Sequence, residues 1–231
     1  MNSYTQFYTE RLYPLQDGVL KIVRDLKLPF YLTGGTTLSR VYLHHRFSDD
    51  LDLFVNNDGG FQSYVKRLVT FLSGQENTLP FRLNNSKIKT YDNFAQVFLS
   101  EREIELKIDL VNDVPSRYGD IVDDAQMGKI DSWRNILSNK ISALFRFAEK
   151  DYVDVWGLSK RFQFDWKEIF NEARWKEASV EAEEVSNLFR TFPFERLDII
   201  KWVEGFDYST IRDDFKTISE DVFFGNKNSL K

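Results

Sequence analysis

The run Tyr31-Leu-Thr-Gly-Gly-Thr-Thr-Leu-Ser-Arg-Val-Tyr-Leu-His-His-Arg-Phe-Ser-Asp-Asp-Leu-Asp-Leu-Phe54 constrains this chain more than any other. It opens on a short apolar strand, Phe30 to Leu32, and turns at Gly34-Gly35. The spacing predicts a helix of two or three turns and then a second strand over 50–55. Alternation along that strand sets Asp50 and Asp52 on one face and Leu51 and Leu53 toward a core. Two carboxylates on one face repel unless solvent screens them or a divalent cation sits between them. Upstream, the glycine pair allows close backbone approach to a ligand, and the helix start offers free N–H groups. One end of the unit suits a phosphate and the other suits Mg²⁺. A Gly-Gly turn or an Asp-x-Asp alone is commonplace, but joined as strand, turn, helix and strand they read as a site.

The remaining chain divides in two. Residues 4–27 read as an amphipathic helix carrying Leu12, Leu15, Val19, Ile22, Val23 and Leu26, stopped by Leu28-Pro29. Asn56 to Gly60 is a turn, and 61–73 is a second helix. Residues 80–111 read as three short strands. The clearest is Glu103 to Val111, with Glu105, Lys107 and Asp109 on its open face. Pro115 to Gly128 reads as irregular, and a soft boundary divides a core at 1–128 from a helical region at 129–231. Helices are expected over 133–149, 151–162, from Asp165-Trp-Lys-Glu168 (capping-box spacing), and near 179–190, 195–203 and 209–221.

Three further features bear on chemistry. Asp109 joins the pair as a third carboxylate if its strand neighbours the one holding Asp50 and Asp52, and two-metal phosphoryl-transfer sites use such carboxylates. Lys140 lies in an otherwise apolar helical stripe with Ile136, Leu144 and Phe147. A buried ammonium needs a partner, and the reading sets it at an interdomain cleft facing nucleotide phosphates, with Asp151 and Asp154 further along the same face. Arg146 is expected on the opposite side, meeting a different partner. Arg40 and His44, one turn apart, read first as an exposed helix face, with contact to a phosphate or base the alternative. The basic residues of 129–167 could face RNA.

Composition excludes several alternatives. The chain has no cysteine, so disulfides and thiolate-bound zinc are out, and its two histidines are adjacent. No apolar run reaches the ~18–20 residues of a membrane span. The start, Met1-Asn-Ser-Tyr-Thr-Gln-Phe7, lacks a signal pattern, so a soluble cytoplasmic protein is expected. The net charge of −5 argues against a dedicated nucleic-acid binder. No Gly-x-Ser-x-Gly, Walker A or Gly-x-Gly-x-x-Gly motif occurs.

Gly34 to Arg40 and His45 to Phe54 resemble the nucleotidyltransferase motif of the AbiEii/AbiGii toxin family. Leu106-Lys-Ile-Asp-Leu-Val111, Asn139 to Arg146, Lys150 to Val155 and Asp221 to Leu230 resemble later family blocks, so the likeness runs over nearly the whole chain. The resemblance implies an α+β fold: a polymerase-β-like nucleotidyltransferase core with a mixed sheet, followed by a helical C-terminal domain closing the cleft. It implies Mg²⁺ (or Mn²⁺), a nucleoside triphosphate, and transfer of a nucleoside monophosphate to an acceptor hydroxyl, with tRNA as one acceptor class. It further implies the toxin of a toxin–antitoxin or abortive-infection system, with a cognate antitoxin. Carried over, Asp50 and Asp52 would bind metal, and Asp109 would be a third ligand or the base. Gly34, Gly35 and Thr36 would cradle the triphosphate, with Arg40, Arg46 and Ser48 as further nucleotide-binding candidates. Lys140 would meet phosphate, and Asp151 or Asp154 would complete the last motif. A non-catalytic nucleotide- or antitoxin-binding protein and a kinase-like phosphotransferase are the alternatives on the same scaffold.

Overall fold

The structure, a computed structural model, describes residues 3–75, 78–114 and 116–231. Met1, Asn2 and Pro115, which carry the expected leader-free start and the opening of the irregular stretch, lie outside the described residues. The chain packs as two compact units. The first comprises Met1–Thr37, Ser48–Pro115 and Asp120–Asp131; the second comprises Leu38–Phe47, Ser116–Gly119 and Ser132–Lys231. The sequence-based division at 128/129 falls inside a strand, and it leaves 38–47 with the core, whereas that segment packs with the helices.

The first unit begins with one helical run: α1 (Ser3–Phe7), a π segment (Tyr8–Leu12) and α2 (Tyr13–Asp25). Of the apolar residues predicted to line it, Leu12, Leu15, Val19, Ile22 and Val23 are buried, while Leu26, just past the helix end, is only partly so. Strand β1 (Tyr31–Thr33) leads into α3 (Gly34–Thr37), which a second π segment (Leu38–Tyr42) carries into the second unit. The chain returns as β2 (Leu51–Asn56), then α4 (Phe61–Gly74). Next come β3 (Arg82–Leu83), β4 (Lys89–Tyr91), β5 (Phe94–Glu101) and β6 (Ile104–Asp113). The stretch expected to be irregular holds a hairpin, β7 (Val122–Asp124) and β8 (Gly128–Ile130). Asp124 shapes its turn by accepting from the N–H groups of Gln126 and Met127. Its strands are three residues long, too short for an alternating pattern to register.

These strands form one mixed sheet in the order β3-β5-β6-β2-β1-β8-β7, with β4 also paired to β5. β1 and β2 are antiparallel, while β2–β6 and β1–β8 are parallel. The inward residues Leu51, Leu53, Val55, Leu106, Ile108, Leu110, Val97 and Leu99 are all buried. Period-2 burial along β2, β5 and β6 leaves their other face half-open.

The second unit is helical: α5 (Trp133–Ala143), α6 (Glu149–Arg161), α7 (Trp166–Lys176), α8 (Ala182–Arg190) and α9 (Tyr208–Phe224). Ser132, Asp165 and Asp207 cap α5, α7 and α9 by accepting backbone N–H bonds. Its core gathers Leu38, Ile136, Ile141, Leu158, Trp166, Phe189 and Phe215. The tail docks through Asn228, whose amide donates to the carbonyls of Ser159 (2.6 Å) and Phe162 (2.8 Å). Among the described residues no helix is long and apolar enough to cross a membrane.

Candidate active site

The candidate residues fall into two sets, one in each unit. In the first unit the sheet assembles the set directly. Asp52 on β2 is in register with Thr33 on β1 and with Asp109 on β6. Parallel neighbours lie roughly 4.8 Å apart, so the two carboxylates share one face. Asp50 stands one residue before β2. Gly34 takes φ +67°, and a Cβ there would collide with the Asp52 carboxylate. The glycine is therefore required twice, for its left-handed backbone and for the close approach. Gly35 and Thr36 follow in α3.

The approach to Asp50 is held by buried polar contacts. Thr36 Oγ1 bonds Ser48 Oγ at 3.0 Å and donates to the Asp50 carbonyl. Gln16, fully buried on α2, donates to the carbonyls of Ser48 (3.2 Å) and Asp49 (3.1 Å). Tyr8, in the first π segment, donates to Asp49 Oδ1. Burial first, and then Asp49, raise the Tyr8 pKa, so its hydroxyl keeps its proton. Sequence reasoning missed Tyr8 and Gln16. A glutamine on the apolar stripe of a helix was the available signal, since a buried amide needs partners.

Lys107 was also passed over as a mere polar-face residue. Its Nζ lies 3.1 Å from Asp50 Oδ2 and donates to Asp109 Oδ2 at 2.9 Å. Gln96 Nε2 donates to the other Asp109 oxygen at 2.8 Å. Partial burial works to lower the lysine pKa, but the bonds and charges of Asp109 and Asp50 outweigh it, and the net direction is upward.

This face was tested for a divalent cation by its donors. Carboxylate oxygens are the ligands a hard cation takes. Among the described residues, no group of three or more His, Cys, Asp or Glu side chains is arranged to hold a metal ion. Mg²⁺ rarely needs one, because it is commonly held by one or two carboxylates plus substrate phosphates and waters. Asp50 and Asp52 fit that mode, and the ammonium against Asp50 and Asp109 already shows the face accepting positive charge.

The second set is a buried ion cluster in the helical unit. The turn at Phe147 (φ +56°) folds α6 back against α5. Lys140 on α5 reaches Asp151 (2.6 Å) and Asp154 (2.7 Å), which lie three residues apart on one face of α6. Arg46 grips Asp154 with two bonds of 2.7 Å, from Nε and from Nη2. His45 Nε2 lies 2.9 Å from the same carboxylate. Burial raises the Asp154 pKa, but Arg46 and Lys140 outweigh it and hold the group well below the usual carboxylate range. Burial lowers Lys140, and the charges of Asp154 and Asp151 turn the net direction upward. Arg46 thus spends its fork inside this unit. Arg146, expected to meet a different partner from Lys140, instead lies 3.6 Å from Asp151, the residue Lys140 also binds. The reason is that α5 ends at Ala143 and a 3₁₀ turn carries Arg146 round. Arg40 lies half-buried in the second π segment.

A mixed sheet with a Gly-Gly turn after its first strand and an Asp-Leu-Asp strand beside it defines the nucleotidyltransferase class of fold. The comparisons agree. Similar solved structures include JHP933 from Helicobacter pylori (17% identity, 91% of this chain and 90% of that one, TM-score 0.57). Another is an H. pylori protein described as a candidate nucleotidyltransferase (18% identity, 93% and 95%, TM-score 0.59). The family model for the nucleotidyl transferase AbiEii toxin, type IV toxin–antitoxin system, matches residues 21–228. The chain belongs to this family. It also matches the uncharacterized protein aq_aa25 of Aquifex aeolicus (strain VF5), 28% identical over 148 residues. That match spans 61% of this chain and 62% of the Aquifex protein, less than two thirds of the relative's length.

Proposed function

We propose that the protein is a Mg²⁺-dependent nucleotidyltransferase that moves a nucleoside monophosphate from an NTP to an acceptor hydroxyl, with tRNA one candidate acceptor among others. The observation that carries this is the register Thr33–Asp52–Asp109, with Gly34 set against the Asp52 carboxylate. In this reading Asp50 and Asp52 hold the cation, and the backbone of Gly34, Gly35 and Thr36 receives the triphosphate. A bound divalent cation neutralises charge on the transferring phosphoryl group. The acceptor oxygen bonds to the α-phosphorus, the bond to the β-phosphate bridging oxygen breaks, and pyrophosphate leaves. Asp109, held by Gln96 and Lys107, serves as a further ligand or as the base for the hydroxyl proton. Lys140, Asp151, Asp154, Arg40, Arg46 and Ser48 belong to the same reading as nucleotide-side candidates. Membership of a type IV toxin–antitoxin family supports action as a toxin opposed by an antitoxin.

The test is incubation of the protein with bulk tRNA and each α-labelled NTP in turn, beside Asp52→Ala. Mg²⁺-dependent label on RNA, absent in the variant, is expected. Equal labelling by both proteins, or none with any NTP, overturns the proposal. Label from the γ-phosphate instead identifies a phosphotransferase.

A further inference from the structure

Lys107 occupies a position that the nucleotidyl-transfer reading leaves unexplained. Its ammonium joins two carboxylates on adjacent parallel strands, Asp50 before β2 and Asp109 on β6. Lys107 and Asp109 share the open face because they are two residues apart on one strand. Register then brings that face against the Asp50–Asp52 pair, since Leu51 pairs with Ile108 and Asp52 with Asp109. Three carboxylates and one ammonium thus share a patch of sheet a few residues wide. Asp109 has both oxygens engaged, one by Gln96 and one by Lys107. Asp50, by contrast, is about one-third exposed, and Lys107 Nζ lies 3.1 Å from its Oδ2.

A cation held by Asp50 and Asp52 would meet this ammonium on the Asp50 side. A divalent ion and an ammonium sharing one carboxylate oxygen repel strongly at that range. We propose that Lys107 is a tethered counter-cation: it neutralises Asp50 and Asp109 before metal binds, and it gives up Asp50, keeping Asp109, when a divalent cation arrives. The proposal rests on the metal-dependent reading above. Lys107 sets how readily the carboxylates accept a cation and keeps the empty face from repelling itself. It is a positioning residue, acting on the carboxylates. It also ties Asp109 to the lysine, which makes Asp109 the anchor that holds the displaced ammonium.

The experiment measures Mn²⁺ binding directly, by the loss of the free-ion electron paramagnetic resonance signal, on the full chain with no nucleotide present. Wild type, Lys107→Met, Lys107→Gln and Asp52→Ala are compared, with circular dichroism confirming the fold of each. Both Lys107 variants should bind Mn²⁺ at least about tenfold more tightly than wild type, because a competing unit charge a few ångströms away is gone. Without metal they should melt at a lower temperature than wild type, and Mn²⁺ should raise their melting temperature by more. Wild-type binding that Asp52→Ala abolishes, with both Lys107 variants equal to wild type or weaker, overturns the role of Lys107 and leaves the metal reading standing. Absence of binding in wild type and in both variants overturns the metal reading, and the role of Lys107 with it. If one variant misfolds, the other decides.

Discussion

The two charged constellations are built from the same residue types and differ in almost everything else. On the sheet, Asp50, Asp52 and Asp109 stand half-open with Lys107 among them. In the helical unit the buried Asp151 and Asp154 face the buried Lys140 and Arg46, with the exposed Arg146 3.6 Å from Asp151 at the cluster's edge. A half-open patch rich in carboxylates can take up positive charge from outside. A buried cluster whose carboxylates already have cations beside them has less to gain from another, and losing one partner of a buried pair is costly. The second cluster also ties down a segment far away in sequence. Besides the Arg46 fork, the Phe47 N–H donates to the Lys201 carbonyl (2.7 Å) and the Val203 N–H to that of His45 (3.2 Å). Leu43 lies so close to Gly157 that a Cβ there would come within 2.9 Å of it. Segment 38–47 is thereby fastened to α6, only a few residues before Asp50.

The largest expected effect separates the two by stability. Asp154→Asn or Arg46→Ala should each lower the unfolding free energy, by up to about 3–5 kcal/mol, because each removes one partner from a buried ion pair. Asp52→Asn should shift it by less than about 1 kcal/mol, since it relieves like-charge repulsion on a partly exposed face. Urea midpoints for the three variants check this. If Asp52→Asn is as destabilising as Asp154→Asn, the sheet carboxylates are structural and the contrast fails.

A smaller effect sharpens the sheet side. Gly34→Ala places a Cβ at φ +67° and drives it into the Asp52 carboxylate. The backbone strain alone costs about 1–2 kcal/mol. Nucleotidyl transfer should fall further, by about 10²-fold, because a displacement of about an ångström at a reacting site has that consequence. The expected signature is a modest stability loss with a large loss in kcat. Activity that falls only as far as the folded fraction would mean that the approach of Gly34 to Asp52 has no part in the chemistry.

What the chain disclosed in advance follows the range of the interactions. The strand, Gly-Gly turn, helix and Asp-Leu-Asp strand were legible because φ/ψ preference and period-2 alternation are local, and so was the open face of β6. That Asp52 and Asp109 are neighbours required knowing that β6 lies beside β2, a matter of strand order that no local pattern carries. Lys107 was hidden for the same reason: its partner Asp50 is 57 positions away in sequence but one strand away in the sheet. Arg46 reads as a nucleotide-side candidate because it stands next to the Asp pair. Its partner Asp154 becomes visible only when α6 packs against segment 38–47. The β7–β8 hairpin escapes such a reading because its strands are three residues each, with β7 mostly exposed, too short for a hydrophobic period to mark them.

The smallest effect tests how tightly the helical cluster is balanced. Asp154 is ionised and can only accept, so the neutral His45 ring donates from Nε2. Nδ1 is then a buried acceptor without a hydrogen-bond partner among the described residues. Protonating it would bury a new N–H and add a further positive charge beside Arg46 and Lys140. Burial accordingly lowers the His45 pKa, Asp154 opposes this, and Arg46 and Lys140 add to the lowering. The unfolded chain, with a histidine pKa of about 6.5, binds the proton more readily than the folded one. Stability from His45 is therefore complete above about pH 6.5 and is lost as pH falls through that value toward the lower folded pKa. Asp154 acts in the same direction further down, below about pH 4, where unfolded aspartates take up protons. Between pH 7 and pH 5 the wild-type urea midpoint should fall more than that of His45→Gln, which keeps a donor for Asp154 but does not titrate. Parallel pH profiles for the two proteins would mean that His45 takes up its proton without cost, and that the cluster has room for a further positive charge.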